Sequence, residues 1–222
     1  MAYQARGRDP LFDSDMQAAI EKRGQELLGI ALVLVGLAVT AMVYTYNPDD
    51  PSIFLASDGP VQNLFGRTGA SISALLYVIL GKGSWVIVLG LMVWGGRLIL
   101  HRGVSRAWRA IFLPILIFAT SIYASTLVPG DNWSPEYGLG GKFGDMVLGG
   151  MLHMMPMSMA VGIKVVSLLF AVICLGLATV VLGFSKEELK WIARFLLVGV
   201  IMTYATGLKL LGRGANGALS AA

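Results

Sequence analysis

Residues 27–46 read LLGIALVLVGLAVTAMVYTY, a run without a single charge. A bilayer's hydrocarbon core is roughly 30 Å thick and an α-helix rises about 1.5 Å per residue, so about 20 such residues span it. Comparable apolar runs recur at 84–100, 110–128 and 157–183. The chain is 56% hydrophobic and 14% charged, with a mean hydropathy of +0.72, whereas soluble domains carry about 25% charged residues. The pattern predicts an all-α integral membrane protein whose chemistry is to be read with lipid as the solvent. The segment before the first run is too long and too acidic for a signal peptide, so 27–46 reads as a retained span.

The positive charges set the expected orientation. Arg6, Arg8, Lys22 and Arg23 precede the first span; Arg97, Arg102, Arg106 and Arg109 lie between the second and third; Lys186, Lys190, Arg194, Lys209 and Arg213 follow the fourth. The intervening loops carry only Arg67, Lys82 and Lys142, with Lys164 just inside the fourth span. Cytoplasmic loops are enriched in Lys and Arg, so both termini are expected inside and the loops 47–82 and 129–155 outside.

Working outward, 1–26 is a polar cytoplasmic arm, with Asp13, Ser14 and Asp15 placed to cap a helix running into the first span. Asn47-Pro48-Asp49-Asp50-Pro51-Ser52 ends that span with turn chemistry. From 62 to 100 the chain stays apolar for about 58 Å of helix, nearly twice one crossing. The Gly81-Lys82-Gly83 break divides it into a short re-entrant or outer-surface helix, 62–80, and a second span. The second half repeats this plan: a span, a polar loop, the apolar segment 146–155, a breaker at Pro156, then the fourth span. Gly66-x-x-Gly69 before the first short helix parallels Gly141-x-x-Gly144 before the second. A parallel duplication would explain this, although residue identity between the halves is poor and chance explains it as well.

The segment 191–211 is apolar enough for a fifth span. Its cations share a limited helical arc, and a fifth crossing would export Lys209 and Arg213, so 184–211 is read as a cytoplasmic interfacial helix. The tail 212–222 reads as the start of a flexible linker, which suggests that the sequence is a fragment. The expected organisation is an arm (1–26), a four-span domain (27–183), the interfacial helix (184–211) and a linker start (212–222).

Catalytic chemistry has no visible seat. There is no P-loop, HExxH, GxSxG or paired-cysteine motif, and no cofactor is expected. His101 and His153 fall on opposite sides of the membrane in this topology, so they cannot share a metal. The Met-rich stretch around His153 reads as adaptable packing rather than a Cu(I) site, and Cys174 reads as packing too. Arg97, Arg102, Arg106 and Lys164 lie within reach of an interface and read as anchors. Small residues carry the better signal: Gly66, Gly69, Gly140, Gly141 and Gly144 are candidate packing or assembly positions, and Gly29, Gly36, Gly95 and Gly96 let spans approach.

The order of the loop NPDDPS (47–52), the phrase GPVQNLFGRTGA (59–70), GGKFGD (140–145) and GFS (183–185) resembles the N-terminal four-span membrane domain of the FtsK/SpoIIIE DNA translocases. The resemblance covers essentially the whole chain. It implies a membrane-anchoring and scaffolding domain in the bacterial inner membrane at the division septum, with both termini cytoplasmic. The domain would tether an ATPase motor absent from this sequence and recruit other division proteins, with Asp50, Pro51 and Ser52 as candidate outer-loop contacts. The implied partners are the lipid bilayer, division proteins and further copies of the chain, a hexamer by family resemblance, with no direct nucleic-acid contact by this segment. The competing reading is a small multi-span transporter or channel subunit, which needs Arg97, Lys164 or His153 to face one water-filled cavity. An intramembrane enzyme has the least support.

Overall fold

The computed structural model describes residues 14–56, 58–101, 107–131 and 133–219. Among these residues every regular element is helical. The order is α1 (Ser14–Tyr44), α2 (Gly66–Leu80), a 3₁₀ turn (Gly81–Ser84), α3 (Trp85–Ile99), a second 3₁₀ turn (Ala107–Ile111), α4 (Phe112–Ser125), α5 (Gly141–Met154), α6 (Met159–Val181) and α7 (Lys186–Leu219). Four helical stretches are long and apolar enough to cross a membrane: Asp15–Tyr44, Gly66–Ile99, Trp108–Ser125 and Met159–Val181. Each overlaps one of the four runs read from the sequence.

Residues 1–182 form one compact unit and 183–222 a second. In the first, α1 lies antiparallel to α3. A Cβ on Gly29 would stand 2.8 Å from the Gly95 carbonyl oxygen, and one on Gly36 would stand 3.0 Å from Met92 Sδ. Gly96 meets nothing within 4 Å and takes no part in this crossing. At one end of the bundle His101 Nε2 lies 3.4 Å from Glu26 Oε1, and Trp94 Nε1 donates to the Val181 carbonyl at 2.8 Å. The early part of α1 and the last turn of α6 therefore meet α3 at the same end. α4 sits centrally: Leu116 and Ile117 pack with Val86 and Val181, while Ile122 packs with Leu148 and Val166.

Several boundaries differ from the sequence reading, those of the two short helices for hydrogen-bonding reasons. The first short helix starts at Gly66 rather than at 62. The Gln62 and Asn63 N–H groups are held by the Asp50 carboxylate, 2.9 Å each, and a turn closed by Gly66 N on the Asn63 carbonyl at 2.9 Å precedes the helix. The second starts at Gly141 rather than at 146, because Asp145 fits inside it with its oxygens accepting from Ser125 Oγ and Gly138 N, both 2.7 Å. It stops at Met154, and Met155 is extended, as the residue before a proline prefers. The second unit contains one helix of 34 residues, α7, which opens with a reciprocal cap: Ser185 N donates to Glu188 Oε2 and Glu188 N to Ser185 Oγ. This helix continues to Leu219, where a linker was expected from 212.

Candidate functional site

The densest polar and backbone contacts lie at the end of the bundle where α1 and α4 finish, and the two halves of the compact unit join there. Three segments converge: the turn at Gly81, the residues before and within the first turn of α5, and the last turns of α4. The Lys82 N–H leaves its own helix and donates to the Leu139 carbonyl at 2.7 Å. Ser121 Oγ donates to the Leu80 carbonyl at 2.8 Å and also lies 3.1 Å from the Ile117 carbonyl. A Cβ on Gly81 would collide with Leu139 O and Gly141 N. One on Gly140 would collide with Ser121 O, and one on Gly144 would stand 2.5 Å from the same oxygen. Backbone thus rests directly on backbone, with Ser121 and Ser125, one helical turn apart, forming the floor.

Beside this joint stands an aromatic cluster. Tyr46 stacks on Tyr77 with centroids 4.5 Å apart, and Trp133 lies 6.1 Å from Tyr77. Tyr46 and Tyr137 share a hydroxyl–hydroxyl bond of 3.0 Å, and Trp133 Nε1 donates to the Tyr137 carbonyl at 2.7 Å. Burial, reinforced by the Tyr46 bond, pushes the Tyr137 hydroxyl well above the usual tyrosine range. Lys82 Nζ sits 5.3 Å from the Trp133 ring centre and 5.8 Å from that of Tyr77, a cation–π arrangement.

The five glycines singled out from the sequence do different things. Gly140, Gly141 and Gly144 meet at the joint. Gly69 packs against its own lead-in, the Asn63 side chain and Phe65. Gly66 is not a packing position, since nothing lies within 4 Å of where its Cβ would be; its requirement is conformational, with φ at +62°. Gly141 shares that backbone state, φ +71°, but would also drive a Cβ to 2.6 Å from Gly81 N and Ile79 O.

The proposed outer-loop contacts need correction. Asp50 is 2% exposed and its carboxylate is spent on the Gln62 and Asn63 N–H groups. Pro51 is buried as well, and Ser52 is partly buried in a turn closed on Leu55. A buried, doubly bonded carboxylate cannot greet a partner. Of the interfacial anchors, Arg97 is half-buried in the last turn of α3 and Lys164 is exposed near the start of α6. Arg102 and Arg106 lie outside the described residues. Because Trp94 bonds Val181, while Lys164 stands about 25 Å back along α6, Arg97 and Lys164 sit towards opposite ends of the bundle. Cys174 Sγ lies 3.6 Å from Thr120 Oγ between α4 and α6. Among the described residues no group of His, Cys, Asp or Glu could hold a metal ion.

Sequence reasoning missed Asn63, Ser121, Ser125 and Asp145. Asn63 is buried and fully used: Nδ2 donates to Met42 O at 2.8 Å and approaches Thr45 O and Ser73 Oγ at 3.3 Å, while Oδ1 accepts from Phe65 N at 3.1 Å. The spacing of Ser121 and Ser125, two small residues four apart in an apolar helix, was the available signal for α4. The arrangement as a whole is a joint in which the polar groups named above are bonded internally.

The family model described as the 4TM region of DNA translocase FtsK/SpoIIIE matches residues 21–208. A DNA translocase FtsK of Azospirillum brasilense is 30% identical over 216 residues, covering 96% of this chain and 33% of that protein. Proteins of the same name from Brucella suis biovar 1 and Caulobacter vibrioides are 38% and 29% identical over 55% and 71% of this chain, and 14% and 19% of their own lengths. The chain spans a third or less of each of these curated relatives. No solved structure matches it.

Proposed function

Since this chain belongs to the FtsK/SpoIIIE four-transmembrane family, we propose that it anchors a DNA-translocating motor in the bacterial inner membrane at the division septum and helps to assemble division proteins there. One observation carries the anchoring role. The beginning of α1 and the end of α6 reach the same end of the bundle, where Glu26 faces His101 and Trp94 bonds Val181. A chain that enters and leaves on one face is what a tether needs. The Lys and Arg residues gather before and in the first half of α1, at the end of and after α3, and after α6, which supports a cytoplasmic position for that face by the charge rule. α7 then lies along the cytoplasmic surface, with Lys186, Lys190 and Arg194 in its first turns. Arg97 and Lys164 at opposite ends of the bundle do not share one cavity, which weighs against the transporter reading.

Topology reporters on the full chain test the anchor. Alkaline phosphatase fused after Leu182 or after Ala222 is expected to be inactive, and fused at Gly130 active; activity after Leu182 would overturn the orientation. A fluorescent fusion of the chain should form a midcell band in dividing cells. Uniform envelope fluorescence at equal expression would remove the septal role and leave only a membrane anchor.

A further inference from the structure

Between Asp50 and Asp58 the chain reads PSIFLAS, with no charge. Its centre is a tight turn in which Ser52 N donates to the Leu55 carbonyl at 2.9 Å and Leu55 N to the Ser52 carbonyl at 3.3 Å. Phe54 N lies 3.4 Å from Ser52 Oγ. The tip carries Ile53 at 70%, Phe54 at 53% and Leu55 at 40% exposure. The base is clamped, because Asp50 is buried and its two oxygens take the N–H groups of Gln62 and Asn63. A short hydrogen-bonded turn thus exposes three large apolar side chains, Ile53 the most.

Two physical points bear on what covers them. Inside hydrocarbon every backbone polar group needs an internal partner; the Ser52 and Leu55 N–H groups have one and the Ile53 N–H has none among the described residues, so this backbone suits the hydrated headgroup–acyl boundary rather than the hydrocarbon core. The loop leaves α1 at its end, where exposed Leu37 and Tyr44 lie, and its base is tied through Asp50 and Asn63 back to Met42 and Thr45, just before exposed Leu64 and Phe65. Exposed apolar side chains therefore recur along the chain from the last turns of α1 through this loop to the lead-in of α2. We propose that Ile53, Phe54 and Leu55 form an insertion finger seated in the outer leaflet of the bilayer, so that the loop after α1 is a lipid anchor rather than a free protein-binding loop. The proposal rests on the four-span membrane reading. Apolar side chains of an interfacial element sink about 5–10 Å into the headgroup–acyl boundary, which suits a finger held at the end of a span.

The test uses the full chain in a Cys174→Ala background, with Ile53→Cys, Leu37→Cys or Asp58→Cys carrying an environment-sensitive fluorophore. The proteins are reconstituted into phosphatidylethanolamine–phosphatidylglycerol vesicles. The Ile53 label is expected to shift to the blue, to lose intensity to lipids bearing a nitroxide near the top of the acyl chain, and to resist aqueous iodide. The Leu37 label should behave likewise, and the Asp58 label should be quenched by iodide. An Ile53 label quenched by iodide and untouched by lipid nitroxide, with Leu37 still quenched from the lipid, overturns the finger while leaving the spans intact; the tip would then await a protein outside the membrane. A Leu37 label open to iodide overturns the four-span reading and the finger with it.

Discussion

Each half of the compact unit sets a helix opened by a glycine of positive φ, α2 or α5, between two other helices, yet the halves secure that middle helix differently. In the first half α2 is fixed through side chains: Asp50 takes the N–H groups of Gln62 and Asn63, and Asn63 reaches back to Met42 and Thr45 at the end of α1. In the second half Asp145 makes a comparable clamp on Ser125 and Gly138, but α5 is also held by close backbone approach, with Gly140 and Gly144 lying on Ser121 and Ser125 of α4 and Gly141 against Gly81. A side-chain clamp tolerates small shifts, since its strength resides in a few hydrogen bonds. A backbone contact has no such slack, because any Cβ must displace a main chain in a close-packed interior. The shared arrangement thus yields one joint sensitive to polar deletion and one sensitive above all to added bulk.

That contrast can be broken by substitution, read as thermal unfolding of purified protein in detergent. The largest effect is expected of Gly144→Leu, which would push a branched side chain onto the Ser121 carbonyl and cost about 3 kcal/mol or more, seen as loss of a folded peak on size exclusion. Gly141→Ala should follow at about 3 kcal/mol, since both backbone strain and collision with Gly81 and Ile79 act there. Asp50→Ala strands the buried Asn63 N–H and the part-buried Gln62 N–H and is expected to cost about 2 kcal/mol. Gly66→Ala meets only its own conformational strain, about 1 kcal/mol. If Gly66→Ala proves as damaging as Gly141→Ala, the distinction between the halves fails.

The smallest effect concerns pH. The Tyr137 hydroxyl is held above the usual tyrosine range by burial and by its bond to Tyr46. Its stabilising influence is therefore fully present below the ordinary tyrosine pKa of about 10 and declines as pH rises beyond it. Melting temperatures taken from neutral to strongly alkaline pH should fall more for the parent protein than for Tyr137→Phe. Equal falls would mean that the hydroxyl is not protected, and the aromatic cluster would then be looser than its geometry indicates.

The phrases on which the family resemblance rested turn out to be parts of these joints. Within NPDDPS, Asp50 is the clamp; within GPVQNLFGRTGA, Asn63 and Gly69 form the lead-in to α2; GGKFGD supplies Gly140, Gly141, Gly144 and Asp145. None of them carries catalytic chemistry. Asp50 misled the sequence reading because an aspartate in a proline-rich turn ordinarily faces water. The donors that bury it come from residues twelve and thirteen positions further along, beyond the reach of local turn chemistry. Ser121 was passed over because a serine inside an apolar run looks like a tolerated polar residue until the Leu80 carbonyl is seen to need its hydroxyl.

Hydrophobic run length and the placement of cations, both local and additive along the chain, sufficed to fix an all-helical membrane protein with four candidate spans. They also indicated where the breaks fall, because glycine and proline act on their own backbone. Which glycine is a hinge and which is a seat, and which carboxylate is buried, were decided only by tertiary structure. Those properties depend on groups far apart in sequence that come within hydrogen-bonding or van der Waals distance once the helices pack.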